Sequence, residues 1–125
     1  MEPIRILICD DHDAFRQGLR AMLATDASLS VIGEAADGAA AVMQAAELQP
    51  DVILMDLQMP RLNGLEATRR IVAAGPHIRI LVLTMSDDTA TVFHALQAGA
   101  RGYILKGARK ADVVRSIENV FNDEV

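Results

Sequence analysis

The sequence predicts an α/β fold: a five-stranded, doubly wound parallel sheet with helices on both of its faces. Short β-branched runs alternate along the chain with longer, alanine-rich amphipathic segments, and a new run starts roughly every 21 to 27 residues. That interval is the length of a strand plus a crossover helix, and such units form parallel sheets with right-handed connections. The apolar runs Val52 to Met55 and Ile80 to Leu83 are nearly continuous, as in central strands that are buried on both sides.

The five β-branched runs are the predicted strands. They cover Ile4 to Cys9, Ser30 to Ala35, Asp51 to Met55, Ile78 to Leu83 and Gly102 to Leu105. The sequences of successive units do not repeat, so the regular spacing reflects the structure and not an internal duplication.

Apolar stripes at helical spacing predict the first and the last helix. The first stripe consists of Phe15, Leu19, Met22 and Leu23. The last stripe consists of Val113, Ile117, Val120 and Phe121. Each of these helices is expected to bury one face.

Start signals predict the three helices between them. Asp37-Gly38 opens a helix that ends before Pro50. The run Asn63-Gly64-Leu65-Glu66 is close to a capping box. Ser86 is expected to cap the fourth helix, and the following Asp87-Asp88 places negative charge at the positive end of that helix.

Composition limits the class of protein. A chain of 125 residues, 51% hydrophobic and 23% charged, is expected to form one domain covering residues 1–125. Its apolar runs are too short to cross a bilayer, and its N-terminus lacks a secretory signal, so a cytoplasmic protein without a membrane partner is predicted. The lone Cys9 agrees with a reducing compartment and is expected in the core. The net charge of −5 argues against direct binding of nucleic acid by this segment.

Polar residues stand where four of the predicted strands end. Asp10 and Asp11 follow the first strand, Asp56 the third, Thr84 the fourth and Lys106 the fifth. Doubly wound sheets bind ligands beyond the carboxyl ends of their strands. Either Asp10 or Thr84 alone is equally well explained as a cap or a loop residue. All of these residues on one rim predict a functional site.

Three clustered carboxylates need a positive counterpart. Each pair at close range repels by about 3 to 4 kcal/mol at an effective dielectric constant near 20. Lys106 supplies one fixed positive charge, and Mg²⁺ suits a set of carboxylate oxygens better than zinc does. The sequence therefore predicts a magnesium site.

A carboxylate can also attack phosphorus and form an acyl phosphate. Asp56 is the predicted nucleophile because its strand lies between the acidic pair and the side of the rim that carries Thr84 and Lys106. With Mg²⁺ and Lys106 neutralising phosphoryl oxygens and Thr84 offering a hydroxyl donor, the rim has the parts for phosphoryl transfer.

Four segments carry a resemblance to a known family. They are Ile8 to His12, Val52 to Pro60 with Asn63-Gly64, Leu83-Thr84, and Gly102 to Lys106. Over essentially its whole length, the chain resembles the response-regulator receiver domains of two-component signalling. The runs 64–70 and 98–106 are most similar to receivers that precede a LuxR-type helix-turn-helix domain, as in nitrate-response and quorum-sensing regulators. The resemblance implies a flavodoxin-like fold with strand order 2-1-3-4-5.

The resemblance also assigns a role to individual residues at the magnesium site. It implies that Asp56 accepts a phosphoryl group from a histidine kinase. It further implies that Mg²⁺ is held by Asp11, Asp56 and the main-chain carbonyl of Gln58, with Asp10 acting through water.

Three further roles concern the signal. By the same resemblance Lys106 pairs with the phosphoryl group, Thr84 bonds it, and Tyr103 is an aromatic switch. When Thr84 moves inward, Tyr103 is expected to follow, which alters the face built from the fourth helix, the fifth strand and the last helix. This face is expected to pair with a second copy or an output domain. DNA is expected to be bound only by an output domain outside these residues.

Two residues depart from the family pattern. Met85 is large where many receivers have a small residue after the threonine, and we expect it to restrict access to the site. Gly107 follows the lysine, and Arg109 and Lys110 then open the last helix against its dipole.

Two other functions remain open from the residues alone. A magnesium-dependent phosphohydrolase with an aspartate nucleophile also uses such a rim, and Asp11-His12-Asp13 imitates its first motif, but Asp10 interrupts the apolar run that this motif needs. An interaction module that is never phosphorylated is the third reading. The scattered His12, His77 and His94 are interpreted as ordinary surface or partly buried residues.

Overall fold

In the computed structural model, which describes residues 2–86 and 88–123, strands and helices alternate along the chain. The strands are β1 (Ile4–Cys9), β2 (Leu29–Ala35), β3 (Val52–Asp56), β4 (Arg79–Thr84) and β5 (Gly102–Leu105). The helices are α1 (Asp13–Ala24), α2 (Gly38–Leu48), α3 (Gly64–Ala74), α4 (Thr89–Ala98) and α5 (Lys110–Phe121). No helix in the described part of the chain is long and apolar enough to span a membrane.

All strand pairings are parallel, and the sheet order is β2-β1-β3-β4-β5. The predicted fold class and strand order are therefore confirmed. Strand β3 lies at the centre, where Leu54 pairs with Ile8 on one side and Leu81 on the other. Because all strands run the same way, the carboxyl ends of β1, β3, β4 and β5 meet at one edge of the sheet.

Two apolar layers cover the sheet, one on each face. Ile53 and Met55 of β3 belong to the layer that also contains residues of α2, α3 and α4. Val52 and Leu54 belong to the opposite layer, with residues of α1 and α5. Cys9 is fully buried in the first layer, as expected. The alternation of β3 between two buried faces explains its continuous apolar sequence.

The predicted strand bounds are correct to within one residue. Strand β4 begins at Arg79 and not at Ile78, because the Ile78 amide bonds the Gly75 carbonyl in the preceding turn. Strand β3 extends to Asp56, which pairs with Leu83 of β4. Asp56 is therefore held by the sheet itself and not by the loop that follows.

The predicted cap of α4 is wrong by two residues. Asp88 is the N-cap, and its carboxylate accepts a 2.9 Å hydrogen bond from the Thr91 amide and one of 2.7 Å from the Thr91 hydroxyl. The hydroxyl oxygen of Ser86 instead accepts a hydrogen bond from the Asp88 amide, in the loop that precedes the helix. Asp87 lies outside the described residues. A carboxylate satisfies two donors of Thr91 at once, which a serine hydroxyl at this position does not.

The caps of α2 and α3 agree with the prediction. The Asp37 carboxylate accepts a hydrogen bond from the Ala40 amide, and the Asn63 side chain accepts one from the Glu66 amide. Helix α5 begins after Arg109, which makes no side-chain cap bond, and Gly107 adopts a left-handed φ of 103° in the preceding loop.

The corrected cap makes a testable prediction. We expect Asp88→Ala to lower the urea midpoint of unfolding more than Ser86→Ala, because only Asp88 satisfies the first turn of α4. The hydrogen bonds from Thr91 lower the pKa of Asp88, so its contribution is present at neutral pH and is lost as pH falls through that pKa. Urea titrations of both variants at neutral and acidic pH measure this difference. A larger loss in Ser86→Ala contradicts the assignment.

Candidate functional site

The residues predicted at the strand ends come together at one edge of the sheet. Asp10 directly follows β1, Asp56 ends β3, Thr84 ends β4 and Lys106 directly follows β5. The Lys106 amide also donates a 2.8 Å hydrogen bond to the Thr84 carbonyl, which joins the ends of β4 and β5. The strand order thus gathers side chains that are far apart in sequence.

An acidic cluster forms the centre of this edge. Single ligand atoms of Asp10, Asp11, His12 and Asp56 all lie within 4.8 Å of one another. Asp10 is fully buried and Asp56 is 3% exposed, whereas Asp11 and His12 are exposed. The cluster therefore has two carboxylates inside the protein and two potential ligands open to solvent.

The ammonium of Lys106 faces both buried carboxylates. Its Nζ lies 2.6 Å from Asp10 Oδ2 and 3.5 Å from Asp56 Oδ2. Apart from this ammonium, the two oxygens have no hydrogen-bond partner among the described residues. The same Nζ lies 4.8 Å from the centre of the Phe15 ring, which adds a cation–π contact.

Asp56 is easier to protonate than an ordinary aspartate. Burial raises the pKa of its carboxyl group, and the negative charge of Asp10 raises it further. The Gln58 amide, 3.3 Å from Asp56 Oδ1, and the ammonium of Lys106 act in the opposite direction without cancelling the rise in pKa. One lysine thus does not fully compensate two buried carboxylates.

Asp10 has a structural bond as well as a place in the cluster. Its Oδ1 accepts a 2.8 Å hydrogen bond from the His12 amide, just before α1 begins. The His12 ring Nδ1 lies 3.1 Å from Asp10 Oδ1 and 3.2 Å from Asp11 Oδ1. Sequence reasoning left His12 out of the site. Its position directly after the acidic pair was the signal for including it.

Thr84 and Tyr103 lie where the sequence places them. Thr84 is 8% exposed, and its hydroxyl donates a 2.7 Å hydrogen bond to the Ser86 carbonyl and accepts one from the Ser86 amide. The hydroxyl is therefore engaged by its own loop. Tyr103, on the edge strand β5, is 38% exposed.

A cavity beside Asp56 opens toward solvent. Its lining includes Asp56, Gln58, Thr84, Met85 and Lys106. The Met85 side chain is 81% exposed, so it stands at the rim of the cavity without being packed over Asp56.

Gly64, the first residue of α3, packs directly against the main chain of Asp56. A Cβ atom at this position would lie 2.1 Å from the Asp56 carbonyl oxygen, far inside van der Waals contact. The Gly64 amide donates a 3.1 Å hydrogen bond to the Leu57 carbonyl. Helix α3 can therefore start directly against the end of β3 only because this residue has no side chain.

The donor set fits Mg²⁺. Three carboxylates supply the hard oxygen ligands that this ion prefers. Burial, and to a lesser degree the charge of Asp10, raises the pKa of Asp56, so a bound cation would stabilise its ionised form. When bound, Mg²⁺ would supply positive charge for carboxylate and phosphoryl oxygens.

Comparisons with known proteins identify the family and agree with the fold. The family model for the response regulator receiver domain matches residues 6–118. The curated protein "Response regulator GacA" of Pseudomonas viridiflava is 44% identical over 118 residues, which are 94% of this chain and 55% of that protein. The chain thus spans little more than half the length of the curated relatives it matches.

Solved structures give the same result. The receiver domain of the regulator NarL from Mycobacterium tuberculosis superposes with a TM-score of 0.93 at 34% identity, covering 98% of both chains. A two-component response regulator of the LuxR family from Aurantimonas superposes with a TM-score of 0.92 at 36% identity, covering 98% of this chain and 88% of that one. Both similarities lie in the subfamily that the sequence resembles.

The raised pKa of Asp56 makes a prediction about stability. A carboxyl whose pKa is higher in the folded state favours folding at low pH and loses that contribution as pH rises through the folded pKa. We expect Asp56→Asn to melt at a higher temperature than the wild type at pH 7. The difference is expected to shrink as the pH is lowered through the pKa of Asp56. Calorimetry of both proteins across this range measures it, and a lower melting temperature for Asp56→Asn at neutral pH contradicts the electrostatic account.

Proposed function

The chain belongs to the response regulator receiver domain family, and we propose that it accepts a phosphoryl group on Asp56 from a histidine kinase and passes the signal to an output domain. One observation carries the assignment of Asp56. Its carboxylate is buried at the end of the central strand, beside both Asp10 and the ammonium of Lys106. The chain is a signalling module. We propose that its residues also assist the transfer of the phosphoryl group to Asp56.

The proposed step is a substitution at phosphorus. An Asp56 carboxylate oxygen forms a bond to phosphorus while the bond from phosphorus to the kinase histidine nitrogen breaks, and the electron pair stays on the imidazole. The product is an acyl phosphate. Hydrolysis by water later returns the carboxylate and releases inorganic phosphate.

Residues of this chain position and neutralise the reacting group. Lys106 is close enough to Asp56 to pair with the oxygens of a phosphoryl group on that residue. These oxygens would take the place of the carboxylate oxygens that the ammonium contacts in this structure. The Gln58 amide already donates to Asp56 Oδ1 and orients the carboxylate. Thr84 lines the same cavity, and its hydroxyl is the proposed donor to the phosphoryl group.

We propose that Asp11, Asp56 and the main-chain carbonyl of Gln58 bind Mg²⁺, with Asp10 acting through water. The close approach of the three carboxylates supports the acidic part of this set. The carbonyl of Gln58 stays a prediction from the resemblance. The exposure of Asp11 gives the ion a route from solvent.

The proposed output is a change of surface. If Thr84 leaves its bonds to Ser86 for the phosphoryl group, the loop after β4 must move. Tyr103, whose strand pairs with β4 at Val82, is the half-exposed ring proposed to follow. This is a population shift, because the phosphoryl group stabilises only the state in which Thr84 bonds it.

An apolar patch supports the α4–β5–α5 face as the surface that responds. Phe93 and Leu96 of α4 are 55% and 48% exposed, and Tyr103 and Leu105 of β5 are each 38% exposed. Helix α4 packs against β5, and exposed apolar groups on adjoining elements favour an interaction site. The proposed partner is a second copy of this domain.

The longer protein is proposed to regulate transcription. Several curated relatives of about twice this length are named transcriptional regulatory proteins. We propose that DNA is bound by an output domain outside residues 1–125 and that the protein acts in the cytoplasm. The two alternatives, a phosphohydrolase and an unphosphorylated interaction module, are outcomes of the labelling test that follows.

The first test is intact mass after incubation with acetyl phosphate. The wild type is expected to gain the mass of one phosphoryl group with Mg²⁺ and none when the ion is chelated. Asp56→Asn is expected to abolish the gain, because the nucleophilic oxygen is lost. Asp51→Asn is the matched control, since Asp51 flanks the other end of β3, and its labelling is expected to be undiminished.

Each other outcome of this test has a clear meaning. Full labelling of Asp56→Asn removes Asp56 as the acceptor. No labelling of the wild type favours the interaction module. Continuous release of phosphate in large excess over protein favours the phosphohydrolase.

The second test concerns the surface. Beryllofluoride with Mg²⁺ mimics the phosphoryl group and is expected to shift the protein from monomer to dimer in sedimentation velocity. Leu96→Glu is expected to prevent the shift by placing a charge in the apolar patch. Met43→Glu is the control, because Met43 is 58% exposed on α2, away from this face. Equal dimerisation of both variants rules out the α4–β5–α5 face.

A further inference from the structure

We infer that Arg16, on the first turns of α1, is the positioning residue for the acidic loop, defined as residues 10–13. The inference rests on the proposed Mg²⁺ site, since Asp10 and Asp11 belong to this loop. Arg16 itself touches neither Asp56 nor the Asp11 carboxylate within the contacts of the described residues. It acts through the main chain.

The Arg16 guanidinium joins three parts of the fold. Its Nη1 donates a 2.5 Å hydrogen bond to the main-chain carbonyl of Asp10, and its Nε donates one of 3.1 Å to Glu34 Oε1 on β2. Its Nη2 contacts the carboxylate of Asp13 in the first turn of α1. The Arg16 side chain is only 14% exposed, and its bonds to Asp10 and Glu34 are partly buried, whereas its contact with Asp13 is open to solvent.

These bonds complete the fixation of Asp10. Its amide donates a 3.0 Å hydrogen bond to the Ala35 carbonyl of β2, and its Oδ1 accepts from the His12 amide. Arg16 holds the carbonyl of the same residue. Because a peptide unit is planar, the direction of the Asp10 carbonyl also sets the position of the Asp11 Cα. Arg16 therefore orients the residue proposed to contact the metal.

The loop lacks the usual anchor for such a turn. His12 is the N-cap of α1 and makes no side-chain cap bond. The Arg16 guanidinium holds the loop in a different way, by donating to the Asp10 carbonyl and to the carboxylates of Asp13 and Glu34. Its planar fork can serve several acceptors at fixed angles, whereas a lysine ammonium is a single point charge. Sequence separation hides this role, since Glu34 lies 18 residues away.

Removing Arg16 has two opposite effects on Mg²⁺ affinity, one through its charge and one through its positioning of the loop. A guanidinium near the acidic loop repels a dication, so removing its charge should tighten Mg²⁺ binding if electrostatics dominated. Loss of an outer residue that orients a metal ligand typically weakens binding by about 10-fold to 100-fold. The sign of the change therefore separates the two effects.

The experiment measures Mg²⁺ affinity of the full chain by calorimetry. Arg16→Lys keeps the charge but not the fork and is expected to weaken binding by about threefold to tenfold, while Arg16→Ala weakens it by about tenfold or more. Arg20→Ala is the matched control, because Arg20 also pairs with Glu34 but not with the loop. It removes the same charge and is expected to bind Mg²⁺ as tightly as the wild type or slightly more tightly.

A second readout needs no metal. Hydrogen exchange at the His12 amide, which bonds Asp10 Oδ1, is expected to be faster in Arg16→Lys than in Arg20→Ala. Unchanged exchange in Arg16→Lys, or Mg²⁺ affinity within twofold of the wild type, overturns the inference.

A reference variant separates this failure from that of the proposed metal site. Asp11→Ala is expected to lose Mg²⁺ affinity. If it retains wild-type affinity, the proposed metal site is wrong and the inference falls with it. If Asp11→Ala loses affinity and Arg16→Lys does not, only the role of Arg16 is wrong.

Discussion

The rest of the structure depends on two buried carboxylates that share one ammonium. Asp10 and Asp56 are removed from water at neighbouring strand ends, and Lys106 reaches both from a third strand. Burial penalises the ionised form of these groups, and together with the charge of Asp10 it raises the pKa of Asp56. A nearby positive charge would stabilise both carboxylates, so their ionisation depends on what lies at this end of the sheet.

The sheet supplies the rigidity that such a cluster needs. Strand β3 is buried throughout and carries Asp56 as its last paired residue. Gly64 lets α3 start against the Asp56 carbonyl, and the Lys106 amide ties the end of β5 to β4. Packing on both faces of β3 thus holds like charges at short distance that would otherwise separate.

Local patterns predicted most of the fold, and long-range contacts account for what they missed. The apolar runs placed each strand within one residue, and stripes and start signals placed the five helices between them. The rim residues followed because parallel strands end on the same side. The cap of α4 was misplaced because Ser86 and Asp88 are both good capping residues, and only the loop geometry decides between them. Nothing in the local sequence around Arg16 indicates that its side chain reaches Glu34 and the Asp10 carbonyl.

Cys9 lies directly before the acidic cluster, yet its thiol is poorly placed to react with oxidants. Complete burial and the neighbouring charge of Asp10 raise the pKa of its thiol well above the usual range. The raised pKa disfavours the thiolate, which is the form that oxidants attack. Since this is the only cysteine of the chain, a change in cellular redox state has no thiol through which to alter the site. The one cysteine of this sequence thus sits next to the acidic cluster in a form that oxidants attack poorly.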